Sequence, residues 1–184
     1  MINRLPGTTI EISVSGPEDA KSFLDNAFRC DGLMMSQVAR LTGREPYMIQ
    51  NWVKRGFLSP PNKKLYSKRQ FCRIAIINML RDGMQIEKIT GLLSYINGRL
   101  DDESDDIIDD SLLYLYYISA ICEIKGTVIN DKVIGDAIER VVADFSEPFP
   151  GAKKRLVKVI AVMINAHLAA FLRKQAEQIL NSLD

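Results

Sequence analysis

Gln50 and Asn51 stand side by side between Met48-Ile49 and Trp52-Val53. Each side-chain amide carries donor and acceptor on one plane. Such groups suit two-point hydrogen bonding to a base edge in the major groove of a duplex, adenine above all. Tyr47 and Lys54 lie about one turn to either side, placed for a base edge or a phosphate, and Arg44 at the start of the same segment is a natural backbone clamp. Further on, Lys63 and Lys64 are spaced to follow the adjacent backbone or minor groove, and Lys68 and Arg69 to hold phosphate. For any single lysine here a solvated surface role weighs as much as a phosphate contact, so the cluster outweighs its members. Trp52 falls on the Ile49-Val53 side and is assigned to the core.

Other chemistries lack their residues. Cys30, Cys72 and Cys122 are odd in number, far apart and in no metal-ligand spacing, and are expected as buried thiols. His167, the one histidine, has no Cys, Asp or Ser partner in a recognised pattern and is expected to be structural. The acidic run LDDESDDIIDD, residues 100–110, lacks the glycine and terminal glutamate of a calcium loop and is expected to be a solvated linker and helix start. With no nucleotide loop or nucleophile elbow either, no catalytic residue, metal ligand or cofactor is expected, and the chain is not expected to be an enzyme.

The charge balance singles out the same region. From Cys30 to Arg99 twelve basic residues face four acidic ones; from Leu100 to Glu147 thirteen acidic residues face three basic ones. A segment of +8 joined to one of −10 places phosphate attraction in the first and repulsion in the second. With 47% hydrophobic and 26% charged residues the composition is that of a globular protein. The longest apolar stretch, Leu156 to Leu172, is interrupted by Lys158, Asn165 and His167, which favours a buried helix over a membrane anchor. The N-terminus lacks a basic stretch, apolar core and cleavage site, so a cytoplasmic location is expected.

The elements that must position these residues are helical. Pro17, Glu18 and Asp19 open a helix whose Ala20, Phe23, Leu24, Ala27 and Phe28 should pack onto the following head, while the preceding residues read as either an ordered arm or a tail. A short helix carrying Met35, Val38, Ala39 and Leu41 ends at Gly43, and a second opens at Pro46, carries Met48, Ile49, Trp52 and Val53, and stops at Gly56. Two such helices joined by a tight turn make a helix-turn-helix unit. The loop FLSPPNKK and the strand-like pair Leu65-Tyr66 have the size of a compact wing; Ser67 then caps a helix with Phe71, Ile74, Ala75, Ile77 or Asn78, and Leu80 inward. After IEKITGLLSYIN comes an acidic body of three helices, the first apolar nearly all round, the last with apolar residues on two faces. Tyr114, Tyr116 and Tyr117 are expected in the core or a dimer contact before an effector pocket.

The run from Gln37 to Leu93 resembles the winged helix-turn-helix of the MerR family, through VARLTG, MIQNWVKRGFL, the basic wing ending in Leu-Tyr-Ser, and the long helix followed by GMQIEKI. The whole chain also resembles a bacterial MerR-like domain family of largely unassigned function. The resemblance implies that Tyr66 is the wing tyrosine, contacting the DNA backbone or anchoring the wing. In place of the family's arginine and two aromatics the chain has Gln50, Asn51 and Trp52, and a second helical unit replaces the usual single long dimerisation helix.

The expectation is thus a mainly α protein: an arm and helix over residues 1–32, a winged helix-turn-helix head over 33–98, and a helical bundle over 99–184. Its expected role is a dimeric transcriptional regulator binding operator or promoter duplex, with no membrane partner and with any small-molecule effector unidentified. The alternative is a protein-interaction module that reuses the helix-turn-helix scaffold without binding DNA.

Overall fold

Residues 4–100 and 102–183 are described by a computed structural model; Met1 to Asn3 of the arm, Asp101 of the acidic run and Asp184 lie outside them. The described residues are mainly helical, with eight α-helices and one two-stranded antiparallel sheet. In chain order these are α1 (Pro17–Ala27), β1 (Leu33–Met34), α2 (Met35–Thr42), α3 (Pro46–Lys54), β2 (Leu65–Tyr66), α4 (Lys68–Leu80), α5 (Ile86–Asn97), α6 (Asp110–Ile124), α7 (Asp131–Val141) and α8 (Ala152–Leu180).

Local chemistry sets the boundaries. Asp19 accepts from the Ser15 and Gly16 amides at the start of α1. Ser67 and Gln70 exchange bonds across the first turn of α4, with Ser67 Oγ accepting from the Gln70 amide and Gln70 Oε1 from the Ser67 amide. Asp109 and Asn130 cap α6 and α7 in the same manner, each accepting one amide of the first turn. Gly43, with φ of 65°, closes α2 by donating to Ala39, a conformation that suits glycine.

Packing centres on α4. Its expected one-sided apolar face is instead a full circumference, since every residue from Phe71 to Leu80 is buried, Arg73 and Asn78 included. The reason is its neighbours: α2 and α5 pack on it from the head, α6 and α8 from the tail. One continuous hydrophobic cluster therefore runs from Leu5 to Ile164, and the head and bundle expected from the sequence share it. Likewise α1 packs chiefly on α6, not on the head as expected; it reaches α4 through the Asp25–Lys68 pair and through Phe28, just past its end, whose ring lies 5.6 Å from that of Phe71.

The N-terminal segment is an ordered arm. Leu5 and Val14 are buried, the Thr9 amide donates to Leu41, and the Tyr114 hydroxyl donates to Pro6. At Gly7 (φ 73°) the arm runs so close to α4 that a Cβ would stand 2.0 Å from the Ala75 carbonyl oxygen. Only glycine fits there.

α8 is the one helix among the described residues with the length and mean hydropathy of a membrane span, 1.7 over 18 residues, of which 33% are buried within the protein. Leu156, Val159, Ile160, Met163 and Ile164 enter the core, while residues 171–183 are all exposed.

Candidate nucleic-acid interface

The turn between α2 and α3 is built by Thr42, Gly43 and Arg44, with the Arg44 amide donating to Ala39. Pro46 then starts α3 without needing a donor partner. Ile49 (0% exposed) and Trp52 (3%) lock α3 onto the core, and the Arg81 guanidinium lies 5.7 Å from the Trp52 ring centre. Fixing those two residues inward turns Tyr47, Gln50, Asn51 and Lys54, spaced i, i+3, i+4 and i+7, outward together. All four are exposed, Tyr47 to 68%.

The loop after α3 is pinned at its base and bare at its tip. Gln70 Nε2 lies 2.9–3.0 Å from Ser59 O, Ser59 Oγ and Pro60 O. The chain reverses where the Leu65 amide donates to Asn62, and the two residues between, Lys63 and Lys64, have φ of 46° and 69°. Positive φ at both central positions marks a tight turn of the I′ kind, where asparagine and glycine are the easy residues. Two lysines in that conformation are strained, and both are exposed. β2 then pairs with β1, Tyr66 opposite Leu33.

Four of the sequence-predicted residues are engaged within the protein, Tyr66 in the anchoring place that was one of its two expected roles. Tyr66 is buried (1% exposed), and burial pushes its phenol pKa up; it anchors the loop to the core and has no surface to offer a DNA backbone. Arg69 does not face outward for phosphate, because it pairs with Asp106 and lies 3.8 and 3.7 Å from Asp109 and Asp110. Lys68 is half-exposed and pairs with Asp25 of α1 at 3.0 Å. Arg44 is half-buried, its Nε donating to Asn78 Oδ1. The structure leaves Tyr47, Gln50, Asn51, Lys54, Lys63 and Lys64 exposed.

The acidic run starts α6 and keeps Asp102, Asp105 and Asp109 exposed, as expected of a solvated linker and helix start, but Asp106 and Asp110 are drawn inward. Asp110 is buried beside Arg73, whose Nη1 donates at 3.1 and 3.4 Å, and it accepts from Asn97 Nδ2 at 3.2 Å. Burial pushes the Asp110 carboxyl up, with Arg73 and then Arg69 pulling it back; burial also raises Asp106 against the pull of Arg69. Arg73 and Asn97 were missed from the sequence, and Asn78 was expected inward only as an alternative to Ile77. Their only signal there is a polar residue inside an apolar helix.

Residues 30–117 are similar to a domain of unknown function, DUF1836. The matched segment takes in β1 through most of α6, so it contains both ends of the Arg73–Asp110 pair. No curated protein and no solved structure matches the chain.

Among the described residues no group of three or more His, Cys, Asp or Glu side chains is placed to hold a metal. Cys72 is buried, its thiol pushed up by burial, and Cys122 is half-buried; Cys30, expected inside, is exposed. Tyr114 and Tyr117 are in the core, and the Tyr117 hydroxyl meets His167 Nδ1 at 2.5 Å.

Proposed function

We propose that the chain is a DNA-binding transcriptional regulator that meets duplex DNA inside the cell with a winged helix-turn-helix, α3 being the recognition helix and the Lys63-Lys64 turn the wing. The observation that carries it is the single outward stripe of Tyr47, Gln50, Asn51 and Lys54 on a helix whose opposite face is locked by Ile49 and Trp52. Such a helix offers paired amides to base edges with phosphate-seeking groups around them. The strained turn tip adds two cations where glycine would be easier.

Two-fold regulators read paired half-sites, and α8 carries a seam that suits a second copy. Val162, Asn165, Ala169, Leu172, Ala176 and Ile179 recur three and four residues apart, and all are exposed. This is the spacing of a coiled-coil interface.

Fluorescence polarisation of a labelled random duplex against the full chain at 50 and 200 mM salt tests the proposal. The expected result is binding that weakens by about tenfold or more between them, as release of several counterions requires. Absence of binding at the lower salt overturns it. The protein-interaction alternative draws on a different observation: Arg55, Lys68 and Arg69 are already paired with Glu87, Asp25 and Asp106, which lowers the basic character of the head.

A further inference from the structure

A cavity of about 620 Å³ opens where the N-terminal arm, the α2–α3 turn, α4 and α8 meet. That volume is in the range of small-molecule sites. One wall is apolar, formed by Leu5, Pro6, Met79, Ile121 and Phe171. The charged lining is unbalanced: Arg4, Arg44 and Lys174 against Asp82 alone.

The three cations are not equivalent. Arg4 meets Glu11 and Lys174 meets Asp82, both in solvent-exposed pairs. Arg44 meets only a neutral amide. Its Nε donates to Asn78 Oδ1, and among the described residues nothing bonds its two Nη groups. Asn78 is itself fixed, donating from Nδ2 to Gly7 O at 2.8 Å and Thr42 O at 2.9 Å. The guanidinium is thus oriented from behind with its fork free, the arrangement that takes a carboxylate or phosphate through two parallel bonds. His167, also in the lining, adds no compensating negative charge, and its Nδ1 is occupied by Tyr117.

We propose that this cavity binds a small organic anion, its carboxylate or phosphate taken by Arg44 and its apolar body by Leu5, Met79, Ile121 and Phe171. Arg44 lies two residues before Pro46, the first residue of α3, and Gly7 and Thr42 share its anchor. An anion there ties the arm, the turn and α8 into one unit. The site stands independently of what α3 contacts.

The test titrates 2-naphthoate, and separately its neutral analogue 2-naphthylmethanol, into the full 15N-labelled chain while the amides of Gly7, Gly43 and Ala170 are followed. Saturable shifts at those amides are expected for naphthoate, with about tenfold weaker binding of the alcohol, the worth of a charge-assisted bond. Arg44→Gln is expected to weaken naphthoate by a similar factor. Lys174→Glu, on an exposed part of α8, weakens it without touching the turn, and decides the matter if the first variant does not fold. Shifts confined to residues 171–183, equal affinity for acid and alcohol, or naphthoate affinity unchanged in every variant that folds would overturn the proposal.

Discussion

At the residue scale the Arg73–Asp110 pair is costly to bury. Two ionised groups are withdrawn from water, and the pair persists because Asn97 and Arg69 supplement it and Phe57 O accepts from Arg73 Nε at 3.0 Å. Such a pair adds little over an apolar replacement, but removing one partner strands the other. Asp110→Ala is therefore expected to destabilise the protein by about 3–5 kcal/mol in chemical denaturation. A loss under about 1 kcal/mol would show that water reaches Arg73 in the native state. His167 makes a second prediction. Burial, and then Lys174, hold its pKa below the usual 6.5, with Asp82 opposing, and Tyr117 is the other titratable group in contact. A depressed folded pKa means that the unfolded chain binds the proton first as pH falls. The stability associated with neutral His167 is thus complete above about 6.5 and is lost as pH drops from there toward the folded value. Melting curves of wild type and His167→Gln should diverge less at pH 5 than at pH 7.5; a constant difference would contradict this.

At the element scale α3 divides its labour between faces. Ile49 and Trp52 hold it, and a residue two along from either points away, which is why Gln50, Asn51 and Lys54 are presented as a set. On the DNA reading, Asn51→Ala removes about 1–3 kcal/mol of discrimination at one base position in a selection experiment. Lys64→Ala instead weakens all duplexes alike and lowers the salt slope by about one. Matching effects from the two variants would remove the base-reading role of Asn51. The periodic apolar residues of α2, α3, α5 and α7 made these helices legible, because each has one wet side. α4 was less so. A helix enclosed on all sides has no polar stripe to set its orientation, and Arg73 was hidden among apolar neighbours.

At the scale of the whole molecule, head and tail are joined through one core, with α4 contacting α6 and α8 directly. Whatever α8 engages therefore reaches the head through packed side chains, without a flexible hinge between them. The exposed seam from Val162 to Ile179 is opposite the row that enters the core, and a second copy is the occupant proposed for it. Sedimentation equilibrium of the Leu172→Glu, Ile179→Glu double variant should give a monomer where the wild type gives a dimer. Both positions are more than 60% exposed, so the fold should survive the change. A wild-type monomer, or a variant that still dimerises, would rule out this seam.

The sequence by itself determined the helical character, the two-helix unit around Gly43, the Ser67 cap and the amide pair on α3. These depend on neighbours within a turn or two, and short-range periodicity records them. Only the tertiary structure decided which charges are available. Arg69 and the acidic run attract from opposite ends of a long connection, and Tyr66 is buried by pairing with β1, more than thirty residues before it. Contacts of that separation leave no periodic trace. The amides of Gln50 and Asn51 kept their exposed place because the residues that orient them lie beside them in the chain, whereas the cationic set around them was thinned by partners from α1, α4 and the acidic run.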